Sequence, residues 1–286
     1  MGEMTDWGDW IGREQVQRDT LDTALANRWF ATFDIEPTAI GMMPQGVHLC
    51  LCTPEAPQAA LGEDGHPSRD ESENSFFPPI PLPRRMWAAS EIEFLEPIPI
   101  GADVERTSRI ASVAEKEGKS GKLGFVDVEH LTKSDGLIAV RETQTLVYRD
   151  AVAHDAPLSP PEPGDGQFDA IDWDAHRIMT PDPRLLFRFS ALTFNTHRIH
   201  YDLPYAQEVE RYRGLVVHGP LMASMLLQLA ASEVGHNALK TFSFRAVSPA
   251  IADEVLHLAM RKSDEGYELG AFASDGRQCV TARAST

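Results

Sequence analysis

Residues 219–234, GPLMASMLLQLAASEV, constrain the chain more than any other stretch. Leu221, Met225 and Leu229 fall on one side of a helix, with Met222, Leu226 and Ala230 beside them. An apolar stripe that broad cannot face water, so other structure must nearly envelop the helix. Its methionines are packing residues rather than a cofactor site. Strand-like runs follow near 240–248, 254–262, 266–274 and 277–284 and can supply that envelope.

The first half has the same order. Residues 19–34, DTLDTALANRWFATFD, place Leu21, Leu25, Trp29 and Phe33 on one helical face, with Asp19 or Thr20 as the expected cap. VHLCLC at 47–52 reads as a short strand or buried segment. Residues 54–83 form a Pro-, Gly- and acid-rich excursion, and long ordered loops are often functional. Strands are predicted near 86–95, 104–115, 122–133 and 137–149. The Pro-rich run 151–167 reads as the start of a linker, and LLFRFSALTF at 185–194 reads as a strand. Ile100-Gly101-Ala102-Asp103-Val104 is echoed by Ile251-Ala252-Asp253-Glu254-Val255, each running on from a proline, Pro99 or Pro249. Element order and echo together indicate duplication. The expected class is α+β: a double hot-dog of two fused repeats, each with a central helix wrapped by an antiparallel sheet. The expected division is a non-catalytic repeat at 1–150 that walls a substrate tunnel, a linker at 151–183, and a catalytic repeat at 184–286.

Composition narrows the function. The 286 residues carry a net charge of −17, which argues against a nucleic-acid groove or a polybasic membrane contact. A local arginine cluster can still cradle a polyanion such as coenzyme A. Cys50, Cys52 and Cys279 follow no disulfide framework, and residues 1–10 are acidic without an apolar signal core. No run reaches the ~18 apolar residues that span a bilayer. A cytoplasmic location is expected. Gly-rich phosphate loops and a Gly-x-Ser-x-Gly elbow are both absent from the sequence.

The chemistry concentrates in FSALTFNTHRIHYDLPYA at 189–206 and GLVVHGPLMAS at 214–224. The first stretch resembles the MaoC-like, or R-specific, enoyl-CoA hydratase family, whose pattern is close to Ser-Gly-Asp-x-Asn-Pro-x-His. Ser190 stands for the leading serine, Asn195 for the aspartate and His200 for the histidine, while His197 and Arg198 replace Asn-Pro. The version FNxHRIHYD looks like a subgroup with mesaconyl-C4-CoA hydratases, itaconyl-CoA hydratases and mitochondrial-type 3-hydroxyacyl-thioester dehydratases. LCTP, GEDGHP and PPIPLPRRMWA in the first half look like that subgroup too.

The resemblance implies reversible hydration of a short enoyl-CoA, with His200 and Asn195 catalytic and mesaconyl-C4-CoA or itaconyl-CoA as the leading substrate. Asparagine cannot be a carboxylate base. Its amide is expected to offer its acceptor to water and its donor to a fixed neighbour. His200 suits proton exchange. Gly219 opens the long helix, where orphan N–H groups and the dipole favour a developing oxyanion. His218 and Arg198 are candidate substrate contacts, and Arg84 and Arg85 are candidate contacts to a CoA phosphate or an acyl carboxylate. His66 is expected at the surface. No metal site or cofactor beyond the coenzyme A of the substrate is expected, and a homodimer is. The alternatives are a dehydratase of fatty-acid synthesis, a hot-dog thioesterase, or a non-enzymatic acyl-CoA-binding subunit.

Overall fold

A computed structural model describes residues 7–37, 41–118 and 121–286. Its strands are β1 (Glu14–Thr20), β2 (Arg84–Phe94), β3 (Asp103–Gly118), β4 (Gly121–Ser134), β5 (Leu137–Arg149), β6 (Ala175–Met179), β7 (Thr241–Ala246), β8 (Leu256–Ser263), β9 (Gly266–Ala273) and β10 (Gln278–Ser285). Its helices are α1 (Thr23–Phe33), α2 (Pro183–Leu192), α3 (Leu203–Glu208) and α4 (Gly219–Val234). All ten strands join one sheet in the order β1-β3-β4-β5-β2-β7-β10-β9-β8-β6. The second five repeat the first five in mirror order, and the halves meet where β2 pairs antiparallel with β7, Ile92 opposite Phe242.

The duplication extends to single hydrogen bonds. Met43 N–H donates to Ile98 O and Ile100 N–H to Gly41 O; in the second half Val217 N–H donates to Ala250 O and Ala252 N–H to Leu215 O. Pro99 therefore matches Ile251, one residue away from the alignment of the sequence echo. Asp22 and Asp182 both cap a helix, accepting from Leu25 N at 2.6 Å and Leu185 N at 2.9 Å. Thus β1-α1 matches β6-α2. The two helices pack on each other, with the rings of Phe33 and Phe189 6.3 Å apart.

Several expectations need correction. The run 185–194 is helix as far as Leu192 and then a turn, not strand: Leu186, Phe189 and Leu192 are the buried positions of the helix, a spacing of three. Asp22 caps α1 in place of Asp19 or Thr20, and Asp19 instead accepts from Cys52 N at 2.8 Å. Of the two readings of 47–52 the buried segment holds, with residues 47–50 in a buried 3-10 turn. The expected linker contains β6. Neither β1 nor β6 has a buried side chain, so neither carries an apolar alternation to read.

The core centres on α4, which packs on β6, β8, β9 and β10 and buries Leu221, Ala223, Leu226 and Ala230 completely. Each fully buried Leu contributes about 1.5–3 kcal/mol relative to exposure. The matching hydrogen bonds place Gln45 where α4 begins at Gly219. There the first half has only the turn Val47–Cys50 before the excursion leaves. A cavity of about 1380 Å³ lies between the halves, walled on the first-half side by Leu49, Leu51, Trp87 and Leu146.

Candidate active site

The motif loop is set by local bonds. α2 ends where Thr193 Oγ1 donates to Phe189 O at 2.8 Å, and Phe194 turns the chain with φ 47°. Asn195 Oδ1 then accepts from His197 N–H at 2.9 Å, an Asx turn. One lone pair of the amide oxygen is thus used by the backbone, and Asn195 lines the cavity.

His200 closes a short 3-10 turn and is buried. Its Nδ1 lies 2.7 Å from Val216 O. A carbonyl can only accept, so Nδ1 carries the hydrogen and Nε2 is the lone-pair acceptor. Burial pushes the His200 pKa down to about 3, neighbouring His197 and His66 push the same way, and the Val216 bond opposes them. The ring is therefore neutral near pH 7, with Nε2 as its open acceptor.

His218 stacks on His200 with ring centroids 3.5 Å apart. It is the N-cap residue of α4, its Nε2 is 2.9 Å from Ser190 Oγ, and its buried Nδ1 has no partner among the described residues. Burial, then His200, hold its pKa well below the usual value. Gly219 follows at the first helical position, and a Cβ there would meet nothing within 4 Å. Pro220 brings no N–H, so the Gly219 N–H is an orphan donor at the positive end of the helix. His200, His218, Gly219 and Asn195 all line the cavity.

The arginines divide. Arg198 is not among the cavity-lining residues, contrary to expectation. Its guanidinium is spent on Asp202 Oδ2 at 2.7 Å and Glu63 O at 3.1 Å, and lies 4.0 Å over the Tyr205 ring. Arg84 lines the cavity but is paired with Glu210 at 2.6 Å and bonded to Tyr212 Oη at 3.0 Å. Arg85 lines it beneath the Phe77 ring, with no carboxylate partner among the described residues, and its charge helps lower His197. It is the better of the pair for an anionic ligand.

Sequence reasoning put His66 at the surface, but it lines this cavity. Thr196 Oγ1 donates to Gly65 O at 2.5 Å, and Arg198 N–H donates to Asp64 O at 2.9 Å, clamping the excursion to the motif loop. Gly65 has φ +87°, and a Cβ on it would sit 1.9 Å from Thr196 O, so only glycine fits. His66 Nδ1 lies 2.9 Å from Asp64 Oδ2, and its ring is 4.1 Å from that of His197. Burial alone would raise Asp64, but the bond and charge of His66, then the charge of His197, hold its carboxyl well below the usual range. Burial, then His66, push His197 down to about 2. The ligand atoms of Asp64, His66 and His197 lie within 4.8 Å of one another, close enough to share a cation, although Asp64 and His66 already bond each other. The clue in the sequence was Asp-x-His about a glycine, a spacing suited to an Asx turn, and Asp64 Oδ1 does accept from His66 N at 3.0 Å.

Residues 46–252 match the hydroxyacyl-thioester dehydratase type 2 family. The chain belongs to that family. The span that matches the hydroxyacyl-thioester dehydratase type 2 family holds both the excursion and the motif loop. A mesaconyl-C4-CoA hydratase of Chloroflexus aurantiacus is 41% identical over 282 residues, covering 97% of this chain and 96% of the relative. Among solved structures, a MaoC-like dehydratase from Phytophthora capsici superposes with TM-score 0.72 at 12% identity, covering 98% of each chain. A Mycobacterium tuberculosis protein described as a double hotdog fold superposes with TM-score 0.56 at 13% identity, covering 96% of this chain and 95% of that one. The architecture is therefore the double hot-dog.

Proposed function

We propose that the protein adds water reversibly to a short enoyl-CoA, with mesaconyl-C4-CoA as the leading substrate and itaconyl-CoA as its nearest chemical rival. The observation that carries this reading is His200: one ring nitrogen is fixed by Val216 O, and the other faces a cavity beside the N-terminus of α4. Hydration needs a base for water and donors for the enolate oxygen. His200 Nε2 takes the proton from water, and Asn195 Nδ2 donates to the water oxygen to aim it at Cβ. The thioester oxygen gathers charge at Gly219 N–H. Arg85 receives an anionic part of the substrate, either a CoA phosphate or the free carboxylate of the acyl group. The 41% identity to a mesaconyl-C4-CoA hydratase supports the branched C4-dicarboxylic choice.

The test is a panel of mesaconyl-C4-CoA, itaconyl-CoA, crotonyl-CoA and a crotonyl carrier-protein thioester. Each is followed both by loss of enoyl-thioester absorbance and by release of free thiol. Loss of absorbance without thiol release supports the hydratase, and fastest turnover of the first substrate supports the acyl assignment. Thiol release without hydration makes it a thioesterase. Two further readings belong to the proposal. Turnover needs no metal, so dialysis against EDTA leaves it intact; loss restored by a divalent ion would instead assign one to Asp64, His66 and His197. The protein is a cytoplasmic homodimer, checked by light scattering for the assembly and by fractionation for the compartment. In the structure itself, no helix among the described residues is long and apolar enough to cross a membrane.

A further inference from the structure

The hydratase reading leaves one proton without a carrier. Adding water moves one proton off the oxygen and another onto Cα. His200 serves the first. Asn195 cannot serve the second, because an amide does not exchange a proton at neutral pH. Several other titratable side chains of the cavity are already committed. His218 is bonded through Nε2 to Ser190 Oγ, and its Nδ1 is closed off by burial. His130 is held by Ser108 at 2.8 Å and Gln144 at 3.3 Å, Glu142 by Ser90 at 2.6 Å, and Glu210 by Arg84 at 2.6 Å. His197 is nearly enclosed against His66 and has no proton to give near neutrality, with its pKa down to about 2.

The geometry points to Asp64 and His66 as the second proton-transfer group of this site: His66 exchanges the proton at Cα of the acyl thioester, and Asp64 holds its ring. Asp64 Oδ2 accepts from His66 Nδ1–H, which leaves Nε2 on the side away from the anchor. Nε2 makes no hydrogen bond among the described residues, and the ring lines the same cavity as His200. The His197 ring links the two in space, 4.1 Å from that of His66 and 5.5 Å from that of His200. The placement is not left to a loose loop. Thr196 Oγ1 to Gly65 O, Arg198 N–H to Asp64 O and Arg198 Nη1 to Glu63 O fasten the dyad to the loop that carries Asn195 and His200.

The step balances without any further reactant. As the water oxygen bonds Cβ, His200 Nε2 takes one of its protons. The Cα=Cβ electron pair moves into the enolate, whose oxygen is met by Gly219 N–H. The enolate then closes a C–H bond at Cα with the proton on Nε2 of the His66 imidazolium. His66 is left neutral with its Nδ1–H on Asp64. His200 gives its proton to solvent, His66 takes one up, and the net change is one water added. In dehydration the same group removes the Cα proton.

The inference rests on the hydratase reading, and its test is separate from the test of that reading. The wild-type panel decides whether enoyl-CoA is hydrated at all. For the dyad, dehydration of the matching 3-hydroxyacyl-CoA is measured with hydrogen and with deuterium at the transferred Cα position. His66→Gln is expected to lower kcat by about 10²–10³-fold, the usual worth of a positioned acid–base group, with KM within about threefold. The primary isotope effect on kcat should rise above that of the wild type, because Cα–H cleavage becomes the slow step. Asp64→Asn should lower kcat by about 10–10²-fold with the same rise, and it carries the test if His66→Gln does not fold. Turnover within fivefold of wild type, or a loss with an unchanged isotope effect, would overturn the assignment and leave the dyad as a clamp only.

Discussion

The backbone position where Val217-His218-Gly219 leads into α4 is occupied in the first half by Met43-Pro44-Gln45. The same pair of hydrogen bonds holds both, yet only the second continues as a sixteen-residue helix with a histidine at its cap. In the first half the chain makes one 3-10 turn and leaves as the excursion that brings back Asp64 and His66. The contrast shows how a duplicated frame specialises. In the proposed reaction the half that keeps the helix supplies an oxyanion site and a base. The half that gives it up supplies space and a second polar arm.

The largest way to break the contrast is at the base. His200→Ala should cost at least ~100-fold in turnover with the fold retained, since acid–base groups contribute about 10²–10⁴-fold. Near-normal turnover with a far-UV dichroism spectrum like the wild type's would place the chemistry elsewhere. The matched pair Gly219 and Gln45 separates the halves more sharply. Gly219→Val fills open space in front of the orphan N–H and should lower kcat/KM by about 10²-fold, the scale of losing one oxyanion donor. Gln45 is bonded through its side chain to Leu239 O at 2.6 Å and carries no chemistry. Gln45→Ala should therefore leave kcat/KM unchanged and lower Tm by a few degrees, about 1 kcal/mol of lost bonding. Equal kinetic losses at both positions would show that the two halves have not divided their roles.

Asn195 gives a smaller effect, and its sign can be worked out. Asn195→Ala removes both the Asx turn and the free donor, and should lower kcat about tenfold with KM nearly constant. Asn195→Asp keeps the turn acceptor but places a carboxylate near His200, which favours the charged ring and raises a pKa now held near 3. The base is lost as pH falls through that pKa, so the acid limb of the rate profile should move to higher pH. A limb that stays where it was would mean that residue 195 does not face His200. The smallest effect is expected among the arginines. Arg85→Gln should raise KM several-fold for CoA esters while Arg198→Gln leaves KM alone, because Arg198 is spent on Asp202 and Glu63. A penalty confined to dicarboxylic esters would assign Arg85 to the acyl carboxylate, and one shared by all esters to a phosphate.

What the sequence could disclose depended on whether burial leaves a period. Strands β2–β5 and β7–β10 carry apolar or alternating faces and are legible within a few residues. β1 and β6 lie at the two ends of the sheet, where no buried face stamps a pattern. α2 hid because Phe187, exposed, falls between its buried positions and Phe194, also exposed, follows its end, which gave LLFRFSALTF the look of a strand. The motif marked His200 and Asn195, and the start of the apolar helix marked Gly219, all of which line the cavity. It could not show that the Asn195 acceptor closes a turn, since that depends on φ and ψ. Nor could it place His66, because the contact between Gly65 and Thr196 spans 131 residues. A glycine–aspartate–histidine loop among prolines looks solvated until the chain that covers it is known.

The β2–β7 seam has a kinetic meaning. Where two separate hot-dog chains would have to meet to build a cavity between them, here the meeting is covalent. His200 on one half and the clamped His66 on the other come together at a rate set by chain closure, whatever the protein concentration. Diluting the protein until any higher assembly falls apart should leave the specific activity of this cavity constant.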